Sequence, residues 1–124
     1  MSRVAAIDCG TNSIRLLIAD ISDGNFREIY RTMEIVRLGE GVDKNKSFNP
    51  EAIDRTLAAV TQFSSEIGRR GVTAIRFCAT SATRDANNRD LFIDGVEKIL
   101  GITPEVISGE EEARLSFQGA VREM

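Results

Sequence analysis

The sequence predicts an α/β fold in which a three-strand meander leads into alternating helices and strands. Two observations carry this. Up to Gly39, apolar and β-branched runs are separated by short turn signals rich in Gly, Asn, Asp and Ser, the pattern of consecutive strands. After Asn49, apolar residues recur at helical spacing, interrupted by two short strand-like runs.

Val4 to Asp8 is a short apolar run ending in a charge, as expected of a central strand buried on both faces, with Asp8 at its carboxyl end. The polar turn Gly10-Thr11-Asn12-Ser13 follows, and Ile14 to Ile21 makes a second strand closed by Ser22-Asp23-Gly24-Asn25. Phe26 to Leu38 returns as a third strand of mixed polarity, suited to a sheet edge, until Gly39-Glu40-Gly41 breaks it. Connections this short make the three strands antiparallel.

Asn49-Pro50-Glu51 is a helix start: an Asx cap, proline at the first helical position and an acid in the first turn. Ile53, Leu57, Val60, Phe63 and Ile67 form its buried stripe, and Gly68-Arg69-Arg70-Gly71 ends it. Val72 to Ala79 is a fourth strand. A second helix starts near Asn88 and runs through Phe92, Val96 and Ile99 to Leu100-Gly101, before a short strand from Pro104 to Ile107. Ser108 caps a final helix whose spacing to Glu111 fits a capping box, with Ala113, Phe117 and Ala120 on its buried side. The order is β-β-β-α-β-α-β-α. Right-handed helical crossovers make strands four and five parallel to strand one, which gives a ribonuclease H-like mixed five-stranded sheet of order 3-2-1-4-5 with flanking helices. Strands one, four and five then end at the same sheet edge, where three polar segments meet.

The 124 residues suit a single domain, 1–124, and the 42% hydrophobic and 28% charged fractions are those of a globular chain. Met1-Ser2-Arg3 runs directly into a strand too short for a signal peptide, and no apolar stretch is long enough for a membrane, so a cytoplasmic location is expected. Net charge of -3 disfavours nonspecific DNA binding. Cys9 and Cys78 sit in apolar strand-like runs and read as buried thiols. With no histidine, Ser/His and Cys/His dyads are excluded, and a general base must be a carboxylate, a lysine or Tyr30.

Three segments carry candidate chemistry. In the first, the amides of the Gly10 to Ser13 turn can cradle phosphate oxygens and Asp8 can hold a hydrated divalent cation. A polar hairpin turn capped by Asp8 fits the same residues. In the second, Ala79-Thr80-Ser81-Ala82-Thr83-Arg84, Arg84 can fork onto a phosphate or form a surface ion pair with Asp85 or Asp90. The third places Glu110, Glu111 and Glu112 in a first helical turn, where the dipole favours negative charge. Successive helical residues diverge by about 100°, so they cannot all face one site. Glu111 serves the capping box and Glu110 lies at the exposed start, which leaves Glu112 as the candidate held over the sheet edge. The runs Asp43-Lys44-Asn45-Lys46 and Arg69-Arg70 read as solvated charge.

Four segments together, Asp8-Cys9-Gly10-Thr11-Asn12-Ser13, Val36-Arg37-Leu38-Gly39-Glu40-Gly41, Ala79-Thr80-Ser81-Ala82-Thr83-Arg84 and Ile107-Ser108-Gly109-Glu110-Glu111-Glu112-Ala113-Arg114, resemble the exopolyphosphatase and guanosine pentaphosphate phosphatase family. That family lies in the actin-like, sugar-kinase-like superfamily, whose two lobes close over a phosphorylated ligand. The resemblance implies hydrolysis of a terminal phosphoanhydride in inorganic polyphosphate or guanosine pentaphosphate, with a divalent cation, usually magnesium. Glu112 matches the family's catalytic glutamate, which orients and deprotonates the attacking water. Thr11, Asn12 and Ser13 match the first phosphate loop, beside Gly10, while Arg84, after Thr80 and Ser81, matches a phosphate-contacting arginine and Asp8 the carboxylate near the metal.

Arg15 stands where many relatives carry histidine, a departure that bears on local phosphate contacts. The second glycine-rich phosphate loop, an Asp-x-Gly-Gly-Gly-Ser type segment, is absent, and Met124 falls inside what resembles the crossover helix. The expectation is therefore an amino-terminal lobe that carries the base and one phosphate clamp and has little or no activity alone. Its expected partners are the second lobe, the substrate and a second copy in a homodimer, with no DNA and no membrane. The Asp8-x-Gly10-Thr11 turn equally suits a lobe of an actin-like ATPase or sugar kinase, and a guanosine-polyphosphate sensor is the non-catalytic alternative. A ribonuclease H nuclease would need several carboxylates around two metals, and only Asp8 and one helix-start glutamate are well placed.

Overall fold

The computed structural model describes residues 2–40, 42, 46–79, 83 and 86–106. Within them the elements are β1 (Ser2–Cys9), β2 (Ser13–Ser22), β3 (Asn25–Ile35), α1 (Pro50–Arg69), β4 (Ala74–Ala79), α2 (Arg89–Leu100) and β5 (Glu105–Val106). They form one sheet of order β3-β2-β1-β4-β5, antiparallel across β3, β2 and β1 and parallel across β1, β4 and β5. This is the topology expected from the sequence. The final helix from Ser108 lies outside the described residues.

Strand alternation gives the sheet two buried faces. On one, Ile7 and Cys9 of β1, Ile14, Leu16 and Ile18 of β2 and Phe77 and Ala79 of β4 join the apolar sides of α1 and α2 in the larger core. On the other, Val4, Ala6, Leu17 and Ala19 are buried, with Ile21 and Phe26 against them. β1 is thus apolar on both faces until Asp8, the mark of a central strand.

α1 starts as its sequence dictates. Asn49 Oδ1 accepts the Glu51 amide at 2.9 Å, Pro50 occupies the first turn, and Ile53, Val60, Phe63 and Ile67 are buried, Leu57 partly so. α2 ends on Gly101 at φ 72°, where a residue with a Cβ is strained. Asn88 makes no cap bond to its own helix; its side chain accepts the Phe48 amide at 2.8 Å and donates to the Phe48 carbonyl at 3.1 Å. This ties the start of α2 to the segment before α1, and Phe92 packs between the rings of Phe48 and Phe77.

β3 is shorter than the strand expected through Leu38. It ends at Ile35 because the Val36 and Arg37 amides turn to the Asn12 carbonyl and Arg37 enters the left-handed region at φ 52°. Of the Arg69-Arg70 run, Arg69 is exposed at the helix end as expected, and Arg70 is less solvated. Arg70 donates to Glu66 at 3.2 Å and lies over the Tyr30 ring, 4.0 Å from its centroid. No helix among the described residues is long and apolar enough to cross a membrane.

At the end of the sheet where β1 begins, Arg3 grips Asp20 with two hydrogen bonds, 2.8 and 3.0 Å, and donates a third to the Arg70 carbonyl. Hydrogen bonds from Arg3 hold the Asp20 carboxyl below the ordinary aspartate range. A depressed folded-state pKa contributes stability that is present above the unfolded value and is lost as pH falls through the folded one. The urea midpoint of Asp20→Asn should therefore fall below wild type at pH 7 and converge on it in acid, below about pH 4. Parallel pH profiles for the two proteins would contradict this role for the pair.

Candidate functional site

The parallel strands finish in register. Cys9 pairs with Ala79 and Ala79 with Val106, so one row of partners crosses β1, β4 and β5 at a common edge. One residue earlier, a second row contains Glu105, Cys78, Asp8, Arg15 and Met33. The three segments singled out in the sequence follow the ends of these three strands.

Asp8 occupies the last polar position of β1 and is partly buried. Burial raises its carboxyl above the ordinary aspartate range, and the positive charge of Arg15 on the neighbouring strand opposes that rise. Among the described residues no group of three or more His, Cys, Asp or Glu side chains is arranged to hold a metal ion. A single carboxylate still suits magnesium, which keeps most of its water and takes further oxygens from a phosphorylated substrate. Asp8 fits that description. Cys9 is fully buried and its thiol is pushed far up by desolvation; Cys78 is buried and shifted the same way. Neither supplies a thiolate nucleophile.

The turn after β1 closes when the Gly10 amide donates to the Ser13 carbonyl at 2.9 Å, leaving Thr11 and Asn12 exposed at its tip. Its carbonyls point inward. The Asn12 oxygen accepts the Val36 and Arg37 amides, both at 2.9 Å, and the Thr11 oxygen accepts the Gly39 amide at 2.8 Å. In a trans peptide the C=O and N–H point in opposite directions, so the Asn12 and Ser13 amides are turned away from the Val36–Gly39 segment. Among the described residues the Thr11 and Asn12 amides meet no backbone acceptor. Outward amides beside the side chains of Thr11, Asn12 and Ser13 form the kind of concavity that accepts an oxyanion.

The Val36–Gly39 segment is itself anchored. Val36 and Leu38 are buried in the core, and Arg55 of α1 donates to the Val36 carbonyl at 3.0 Å and to Glu40 at 3.1 Å. Gly39 is required by proximity: a Cβ there would lie 2.9 Å from the Thr11 Cβ and 3.3 Å from the Thr11 carbonyl oxygen. Sequence reasoning placed Val36 to Leu38 at the end of the third strand and gave the segment no contact with the turn after β1. Its signal was the slip in alternation at Ile35-Val36, two consecutive apolar residues.

The structure thus brings Asp8, Gly10, Thr11, Asn12 and Ser13 together. Thr80, Ser81, Arg84 and Glu112 lie outside the described residues. Within the second segment Thr83 is described: it is 1% exposed, and its hydroxyl has no hydrogen-bond partner among the described residues.

The sequence profile of the Ppx/GppA phosphatase family matches residues 17–124. Exopolyphosphatase 2 of Mycobacterium tuberculosis is 48% identical over 133 residues, covering 100% of this chain and 42% of that protein. The guanosine-5'-triphosphate,3'-diphosphate pyrophosphatase of Aliivibrio fischeri is 35% identical, over 93% of this chain and 23% of its own length. The crystal structure of the Aquifex aeolicus Ppx/GppA family member superposes with a TM-score of 0.87 at 31% identity, covering 99% of this chain and 40% of that one. The chain spans less than half the length of each of these relatives.

Two outcomes follow from the geometry. Gly39→Ala should displace Thr11 and Asn12 and cost about 1–3 kcal/mol, as overpacking does; the check is a urea melt together with amide chemical shifts at the tip. An unmoved tip would show that the close approach is not required. Asp8 carries the opposite sign to Asp20. A carboxyl whose folded pKa is raised contributes stability below its unfolded value and loses it as pH rises through the folded one, so ionised Asp8 opposes folding at pH 7. Asp8→Asn should melt at or above the wild-type temperature at pH 7, and a clear drop would contradict the desolvation argument.

Proposed function

The chain belongs to the Ppx/GppA phosphatase family, and from that premise we propose that residues 1–124 form the amino-terminal lobe of a hydrolase that removes the terminal phosphate of inorganic polyphosphate or guanosine pentaphosphate. The observation that carries the reading is the Thr11–Asn12 tip, whose carbonyls are occupied by the Val36–Gly39 segment and whose amides are left for an anion. The names of the relatives support phosphate removal as the chemistry.

In this reading Gly10, Thr11, Asn12 and Ser13 hold the terminal phosphoryl group, and Thr80, Ser81 and Arg84 contact it from the end of β4. Glu112 accepts a proton from a water molecule as that water attacks phosphorus. The bond from phosphorus to the bridging oxygen breaks, and the leaving phosphate carries the electron pair away. A glutamate base is consistent with a chain that has no histidine. The outward amides at the tip meet the charge on the phosphoryl oxygens without reorganising, because the anchored segment behind them already fixes their direction. Asp8 would hold a divalent cation, magnesium or another, which when bound offsets negative charge on the phosphates. Closure by a second lobe would exclude water other than the nucleophile, and two such chains could associate as a homodimer in the cytoplasm.

The complete protein tests this directly, with phosphate release measured on polyphosphate and guanosine pentaphosphate side by side. Glu112→Gln should lower kcat by about 10²–10⁴-fold, the range of general-base catalysis. Undiminished release would remove Glu112 from the mechanism. Asp8→Asn should raise the magnesium concentration needed for half-maximal rate on the order of tenfold, the loss of one charged ligand, and an unchanged requirement would place the cation elsewhere.

A further inference from the structure

We propose that Arg37 is a substrate-binding residue that pairs with a phosphoryl group of the polyanionic substrate beside the Thr11–Asn12 tip; this rests on the phosphatase reading above. The backbone at Arg37 is in the left-handed region, φ 52°, a conformation that side chains with a Cβ seldom adopt. Asp23 and Lys46 share this conformation, and Arg37 differs from them in being bonded to the candidate phosphate loop. Observed outliers of this kind cluster at ligand sites, where the surroundings hold them in place.

The surroundings here are specific. The Arg37 amide donates to the Asn12 carbonyl at 2.9 Å, so the root of the side chain is bonded to the candidate phosphate loop itself. Its two neighbours are buried, Val36 at 3% and Leu38 at 1% exposure, which leaves Arg37 the exposed residue of a clamped segment. The other cation of its cleft, Arg55, is engaged with Glu40. Arg37 has no ion pair or hydrogen bond to its guanidinium among the described residues. It lines a cleft of about 490 Å³ with Ile35, Glu40, Asn49, Glu51 and Arg55. Glu40 in that cleft is already paired with Arg55, so the carboxylate that opposes an anion is Glu51 at the start of α1. A guanidinium fork matches phosphate oxygens in geometry as well as charge. The occupant expected is a chain of phosphoryl groups that continues from the tip amides, which face away from Val36–Gly39, round to the guanidinium of Arg37.

The test is steady-state kinetics of the complete protein with tripolyphosphate and long-chain polyphosphate, for wild type, Arg37→Gly and Arg37→Lys. Glycine accepts φ 52° without strain, so Arg37→Gly keeps the backbone and removes only the guanidinium; an undiminished melting temperature verifies this. KM for long-chain polyphosphate should rise about tenfold with kcat within about twofold, the loss should shrink as salt is raised, and Arg37→Lys should recover part of it. An unchanged KM in Arg37→Gly, or a loss insensitive to salt, would overturn the proposal. Should wild type release no phosphate, the phosphatase reading fails by itself. Calorimetric titration with inorganic tripolyphosphate then decides separately, about tenfold weaker binding by Arg37→Gly supporting the anion contact and equal binding excluding it.

Discussion

The candidate site depends on one constraint: β1 must be paired on both sides, antiparallel to β2 and parallel to β4, with its last two residues in register with the ends of β4 and β5. Because β1 is apolar on both faces from Val4 to Ile7, shifting it by one residue would exchange Ile7 for Asp8 on the face that packs against α1 and α2. The core therefore specifies the register, and the register specifies the edge. Asp8 stands at the carboxyl end because the hydrophobic run stops there.

From that edge outward, the precision comes from hydrogen bonds. The Thr11–Asn12 tip is short and exposed, and by itself such a turn would sample several peptide orientations. Three amides from Val36, Arg37 and Gly39 capture its two carbonyls, and the planarity of the peptide then aims the amides away. The capturing segment is held by buried Val36 and Leu38 and by Arg55 from α1. The orientation of the proposed anion cradle is thereby linked to the main core through a chain of contacts that α1 completes. The left-handed backbone at Arg37 costs roughly 1–2 kcal/mol, and the buried neighbours and captured carbonyl offset it.

Much of this fold was legible because it follows from local rules. The Asn49-Pro50 cap, the stripe from Ile53 to Ile67, the Asp23-Gly24 turn and the glycine after α2 each announce an element, and right-handed crossovers then impose the strand order. What local rules could not supply were contacts between distant segments. Asn88 marks in the sequence only the start of a helix, yet its amide serves the Phe48 backbone forty residues away in sequence. Val36 to Leu38 reads as the end of a strand, yet its amides belong to the turn after β1. The same applies to the site: Asp8 and the Gly10–Ser13 turn were found as residues, but nothing local says that the turn's carbonyls are taken.

Asp8 and Asp20 show how the two ends of the sheet divide their tasks. Both are aspartates at the margins of the same antiparallel pair, and the difference between them lies in their partners. Asp20 receives two hydrogen bonds from Arg3, which favour its charge, whereas Asp8 is half-buried with Arg15 opposing its desolvation only in part. A carboxylate left short of donors destabilises the folded chain, and the same shortage is what makes it available to a cation. Arginine opposite Asp8 moderates this conflict without removing it, since a full ion pair there would satisfy the carboxylate and close the position to a metal. β1 thus joins an end whose carboxylate is satisfied by Arg3 to an end whose carboxylate is left short of donors.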